Sequence, residues 1–288
     1  MNEAVRQILA AYEIRSVEES LRALREIMQE IALLGLWRGK FFEKAAFYGG
    51  TALRILHGLD RFSEDLDFSL LEKSEGFEPS EYGDFLKREL ASFGFSVDIT
   101  AGVRTARTAI RSAFLKADTR TQMIAVEFEP ELVRRIPRNQ VIKIKLEVDT
   151  DPPPGFSTES RYLLRPIPFA VRTFGLPDLF AGKMHAVLCR GWKSRVKGRD
   201  WYDLVWFAAR HPELHLRHLE QRMRQTGHWA RPASLSEADL RELLAQRIDR
   251  VDIDQIRREV EPFVKDPESL SIWSKEFFRD VALRITAS

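Results

Sequence analysis

The chain has 288 residues, 45 Lys and Arg against 43 Asp and Glu, a formal net charge of +2, and 44% hydrophobic residues. That is length for one large or two ordinary domains. The apolar content excludes a disordered chain, and the balanced charge leaves nucleic-acid binding to local patches only.

The longest apolar run, Ile31 to Trp37, is far too short to span a bilayer, and the N-terminal M-N-E-A-V-R lacks a signal-peptide core. The single cysteine, Cys189, excludes an intrachain disulfide. These features predict a cytoplasmic protein without a membrane partner, with Cys189 a packed core thiol.

In chain order, Val5, Ile8, Leu9 and Tyr12 open a helical stripe. Val17, Leu21, Leu24, Ile27, Met28, Ile31 and Leu34 continue one, expected to pack on the sheet that follows. Residues 48–68 read Y-G-G-T-A-L-R-I-L-H-G-L-D-R-F-S-E-D-L-D-F. Gly49 and Gly50 carry no Cβ, so they permit a sharp turn and close approach to a ligand. A helix is expected over Thr51 to Leu59, its N-terminal N–H groups favouring phosphate. Asp65, Asp67 and Ser69 then alternate with Leu66, Phe68 and Leu70, the period of a strand. Two carboxylates on one strand face repel unless a cation lies between them, and Mg²⁺ carrying a triphosphate satisfies that need.

Further strands are predicted at Phe95–Ile99, over 108–116, over 121–128, and at Val141–Asp149. The last places Ile142, Ile144, Leu146 and Val148 on one face and Lys143, Lys145, Glu147 and Asp149 on the other. The run D-P-P-P-G-F-S-T-E-S from Asp151 reads as a linker. It divides the chain into 1–150, helices plus sheet, and 151–288, linker plus a helical lobe.

Beyond Pro177 the pattern is almost wholly helical. Pro177 suits a first turn and Asp178 its dipole. Lys183 shares a face with Ala186, Val187 and Arg190, so it needs an anionic partner or must snorkel to water. Arg190, Lys193, Arg195, Lys197 and Arg199 then gather without an intervening acid. This segment is a candidate contact for triphosphate or an RNA backbone, or simply a solvated loop. Asp200 and Asp203, at i and i+3, face the side of Leu204 and Phe207. Trp192 and Trp201 offer stacking surfaces, although tryptophans beside helices usually fill core. His211, His215 and His218 have helical spacing, but no Cys or acid completes a zinc set and Pro212 interrupts them. From Leu214 to Ser288 amphipathic helices continue without a chemical motif.

G-G-T-A-L followed by R-F-S-E-D-L-D-F resembles the signature of the polymerase-β-like nucleotidyltransferase superfamily, and specifically the AbiEii/AbiGii-type nucleotidyltransferase toxin family. L-P-D-L-F-A-G-K, with its acid and lysine, is similar to the family's second signature. R-D-x-x-D at Arg199, Asp200 and Asp203 is similar to its last. The resemblance covers roughly 45–210.

It implies an α/β (α+β) fold: a polymerase-β-like core with a small mixed sheet, N-terminal helices and a C-terminal helical lobe. Nucleotide is expected between the lobes, with Lys183 and Asp203 closing one side. Asp65 and Asp67 are expected to hold two Mg²⁺ ions, together with a third carboxylate that also takes the acceptor's proton. Glu147, mid-strand, is preferred for this over Asp149. Asp200 and Asp203 are expected to hold Lys183 or the base in place. Gly49, Gly50, Thr51, Arg61, Ser63, Lys183, Arg190 and Arg199 are the expected nucleotide contacts, with Ser63 alternatively a turn residue or modification site.

The implied activity is transfer of a nucleoside monophosphate from an NTP to RNA, the tRNA 3′ end being a target class, with a cognate antitoxin as partner. Three alternatives remain: the same transfer to a small molecule such as an aminoglycoside, phosphotransfer to a protein, or a non-enzymatic nucleic-acid-binding module.

Overall fold

The computed structural model describes residues 2–102, 109–128, 130–190 and 197–288. It divides into two compact units. The first comprises Met1–Leu56, Glu64–Pro152 and Ser160–Thr173; the second comprises His57–Ser63, Pro153–Glu159 and Phe174–Ser288. The expected division at 150/151 therefore differs from the observed one in two places. Residues 160–173 return to the first unit, and the short piece 57–63 belongs to the second.

The first unit begins with α1 (Glu3–Leu9) and the 22-residue α2 (Val17–Arg38), whose cap Ser16 accepts from the Glu19 N–H. Leu24, Ile27, Met28 and Ile31 are fully buried along α2, as the spacing predicts. Then follow β1 (Ala45–Tyr48), α3 (Gly49–His57), β2 (Leu66–Leu70), α4 (Gly83–Ser92), β3 (Asp98–Ala101), β4 (Ile110–Asp118), α5 (Thr119–Ala125), α6 (Pro130–Arg135), β5 (Val141–Asp149), β6 (Thr158–Leu163) and β7 (Phe169–Phe174). The seven strands form one mixed sheet in the order β3-β4-β5-β2-β1-β7-β6. Strand β2 lies at its centre, antiparallel to β1 and parallel to β5. Its Phe68 anchors an aromatic cluster, 4.8 Å from Phe41 and 5.1 Å from Phe47 between ring centroids.

Local readings differ from the structure in several places, among them the strand predicted at Phe95–Ile99, which is β3 at Asp98–Ala101. Residues 121–128, expected as a strand, lie instead in α5 and the turn after it. Asp118 caps that helix by accepting from the Thr121 N–H and hydroxyl, and Gln122 and Met123 are buried on its inner side. The expected linker ends early, because Thr158 already starts β6. The helix after the glycine pair starts on Gly49 itself rather than beyond it. The strand expected over 108–116 is β4, shifted by two residues; Thr108 lies outside the described residues.

The second unit is built from α7 (Leu176–Cys189), α8 (Gly198–Arg210), α9 (Leu216–Gln225), α10 (Glu237–Arg250), α11 (Ile253–Val260) and α12 (Lys275–Leu283). Two-residue strands β8 (Glu213–Leu214) and β9 (Thr286–Ala287) pair in parallel. Gly198 lets α8 press on α11, since a Cβ there would lie 2.0 Å from the Ile256 carbonyl oxygen. Trp201 is fully buried, 4.9 Å from Phe278, and so fills core rather than offering a stacking face. Among the described residues no helix is long and apolar enough to cross a membrane.

Candidate functional site

The acids of the first unit are assembled by strand register. In the parallel β2–β5 pair Asp67 is partnered by Glu147, while Asp149 falls opposite Ser69. Asp65, Asp67 and Glu147 are half-buried, whereas Leu66 and Phe68 between and beyond the two aspartates are buried. Paired positions on neighbouring strands present side chains to the same face, so the carboxylates of Asp67 and Glu147 emerge side by side. Glu147 Oε1 accepts from Lys145 Nζ at 2.5 Å. Asp149 instead turns back on its own chain, its Oδ1 accepting from the Asp151 N–H at 3.1 Å.

The glycine pair serves this acid group at close range. Gly49 has φ 84°, the left-handed region, and a Cβ there would lie 2.6 Å from Asp67 Oδ2 and 3.1 Å from Asp67 Cβ. Sequence reasoning expected a ligand to approach this backbone; the atom that approaches it is Asp67's own carboxylate. Thr51 is fully buried and its hydroxyl donates to the Asp65 carbonyl, tying the start of α3 to the residue that leads into β2. Thr51, expected at the nucleotide, thus places Asp65. Asp67 and Glu147, paired across β2 and β5 with the Cβ-free Gly49 beside Asp67, offer the oxygen donors that a hard divalent metal ion takes.

In the second unit the charges form an alternating chain. Arg61, 2% exposed, donates from Nε to Asp203 Oδ1 and from Nη2 to Asp203 Oδ2, both at 2.6 Å, and from Nη1 to the Phe62 carbonyl at 2.9 Å. Lys183 Nζ lies 2.7 Å from Asp203 Oδ2 and 3.6 Å from Asp200 Oδ1. Arg190 closes the chain on Asp200 Oδ2 at 2.8 Å. Burial by itself would raise the Asp203 carboxyl, but Arg61 and then Lys183 hold it below the ordinary carboxylate range. The sequence joined Asp200, Asp203 and Lys183; it did not reveal Arg61 as their partner. Arg61, expected on nucleotide, has its donors turned to Asp203 and the Phe62 carbonyl.

Other expected contacts are dispersed. Arg199 stacks over Phe263, 4.1 Å from the ring centroid. Ser63 is half-buried. Lys193, Arg195 and Trp192 lie outside the described residues. Asp178 is buried, accepting from the Ser157 N–H at 2.9 Å and hydroxyl at 2.6 Å, with His215 Nδ1 at 2.6 Å. The His218 ring lies 6.3 Å from that of His215, with its Nδ1 3.5 Å from the Pro154 carbonyl.

The mixed seven-stranded sheet, with carboxylates paired across its central strands and a helical unit after it, is a mixed α/β fold. The family of AbiEii nucleotidyl transferase toxins, of type IV toxin–antitoxin systems, matches residues 31–280, and the chain belongs to that family. It is thus a nucleotidyltransferase toxin by family. No curated protein sequence matches it. Among solved structures it is similar to JHP933 from Helicobacter pylori, with a TM-score of 0.49 and 16% identity over 90% of this chain and 86% of that one. A second H. pylori chain, assigned as a nucleotidyltransferase, has a TM-score of 0.49 and 17% identity over 90% and 89%.

Proposed function

We propose that this chain transfers a nucleoside monophosphate from an NTP to an RNA hydroxyl, with the tRNA 3′ end as acceptor class, Mg²⁺ as metal, and a cognate antitoxin as its restraint in the cytoplasm. The observation that carries this reading is the register of Asp67 with Glu147 beside the Cβ-free Gly49. Asp65, Asp67 and Glu147 would hold the metal, which when bound supplies positive charge against the triphosphate and acidifies the acceptor hydroxyl. Glu147 accepts that hydroxyl's proton, exchanging its bond to Lys145 for it. The N-terminus of α3 directs N–H groups at phosphate. Lys183, gripped by Asp203 and 15% exposed, is the second unit's candidate cation for nucleotide phosphate. Arg190, Arg199 and Ser63 are secondary nucleotide contacts, and Arg61 positions Lys183 through Asp203.

The test is incubation of the purified chain with each α-labelled NTP, Mg²⁺ and total RNA. Label should enter RNA with release of pyrophosphate, and Asp67→Asn should abolish both while the fold persists. Release of ADP without pyrophosphate would replace this reading with phosphotransfer. Label on a small hydroxylated acceptor but not on RNA would remove the RNA assignment. A Lys193, Arg195 and Lys197 to Gln triple variant should flatten the log K against log salt slope for RNA by about two to three.

A further inference from the structure

Three side chains with no part in nucleotidyl transfer converge in the second unit. His185 and Cys189 stand four positions apart on α7 and therefore share a face. His228 comes from the turn that follows α9. One ring nitrogen of each histidine and the Cys189 Sγ all lie within 4.8 Å of one another. Cys189 is buried, His185 half-buried and His228 exposed, so the cluster is closed at one end and open to solvent at the other. The Thr226 hydroxyl oxygen lies 2.9 Å from His185 Nε2 and 2.9 Å from His228 Nδ1, which ties the two rings to one another. The two rings stand at 90° with centroids 6.3 Å apart.

We propose that His185, Cys189 and His228 form a site for one zinc-class dication, tying the C-terminal end of α7 to the turn after α9. Two imidazoles and a thiolate are the borderline-soft donors such an ion selects, and three protein ligands leave a fourth position for water. The donor set differs in kind from the all-oxygen group of Asp65, Asp67 and Glu147, which suits a hard ion. Bond lengths of about 2.0–2.3 Å require donors about 3.3–3.8 Å apart. The cluster is therefore about 1 Å too wide at its limit, and rotation of the exposed His228 closes it.

Burial pushes the free Cys189 thiol up to about 12, so coordination near neutral pH must release its proton. Burial, and then the charge of Arg222, keeps the His185 ring neutral, with a lone pair to donate. The thiolate formed on binding offsets the repulsion between Arg222 and the ion.

Titration of the dialysed full-length chain with Co²⁺, followed by Zn²⁺, tests the site. One equivalent of Co²⁺ should develop a thiolate-to-cobalt charge-transfer band with release of a proton, and Zn²⁺ should abolish the band. Cys189 is the chain's single cysteine, so this band can report no other site. His228→Ala, at an exposed position, should weaken binding at least tenfold without unfolding the chain, and Cys189→Ser should remove the band. Asp67→Asn should leave it unchanged, which separates this site from the proposed transferase centre. Absence of the band at stoichiometric Co²⁺, or equal affinity in wild type and His228→Ala, would overturn the proposal.

Discussion

Arg61 and Asp203 are 142 positions apart in sequence, yet they meet through two parallel hydrogen bonds of 2.6 Å with both side chains buried. A fork of this kind matches guanidinium to carboxylate in a way no lysine can reproduce. Lys183 then shares Asp203 Oδ2, so the ammonium depends on a carboxylate that Arg61 has already oriented.

Asp203→Ala leaves Arg61 and Lys183 without their shared anion. It should cost about 3–5 kcal/mol in urea unfolding. Arg61→Met should be more destabilising than Lys183→Met, because it strands a fully buried carboxylate that Lys183 alone must then balance. Lys183→Met should keep the fold and lower transfer at least tenfold, about 1.4 kcal/mol. Equal stability losses at Arg61 and Lys183 would contradict this hierarchy.

Strand register separates the two candidate third carboxylates. Glu147→Gln should lower transfer by on the order of a hundredfold, the contribution typical of a general base. Asp149→Asn should lower it only a few fold, since that side chain lies beside Ser69 and binds the Asp151 N–H. Single-turnover assays on folded variants measure the difference, and the reverse ranking would assign the role to Asp149.

Gly49→Ala adds a methyl group 2.6 Å from Asp67 Oδ2 at a backbone angle L-residues avoid. Loss of about 1 kcal/mol or more in stability is expected, with a larger loss of transfer because Asp67 must move. Gly58→Ala shares the left-handed backbone, but its Cβ meets nothing within 4 Å. It should cost stability without a comparable loss of activity.

Glu30 supplies a pH signature in the first unit. Burial raises its carboxyl from 4.5 to about 7, even with Arg165 at 2.8 Å. The folded state thus binds a proton that the unfolded state has released between those values. The stability linked to this group is complete below about pH 4.5 and is lost as pH rises through 7, a change on the order of 3 kcal/mol. Glu30→Gln should flatten this part of the stability profile in denaturant titrations between pH 5 and 8. An unchanged profile would mean that Glu30 stays ionised in the fold.

The alternation of Val141–Asp149 was legible because a strand's two-residue period is local and one of its faces is apolar; the observed β5 has those bounds. The alternation from Leu66 to Leu70 was legible for the same reason, although Asp65, expected on that strand, lies just before it. Residues 121–128 misled because Ile124, Val126 and Phe128 stand two apart, imitating alternation. The deciding contact was a cap from Asp118, whose hydrogen bond outweighs weak strand propensity. Cys189 is buried as the sequence predicts, but His228, 39 positions on, lies at a separation that carries no period.

By itself the sequence determined the local chemistry: which donors exist, that Asp67 and Ser69 share a strand side with Asp65 just before it, and that Lys183 lies on a partly apolar helix face. The tertiary structure alone decided which of these groups meet. It set Asp67 against Glu147 rather than Asp149, joined Arg61 to Asp203, and put Asp67 where Gly49 has no side chain. The physical reason is that periodicity follows from backbone geometry within a few residues. Encounters between distant residues follow instead from which faces are buried together and in what register.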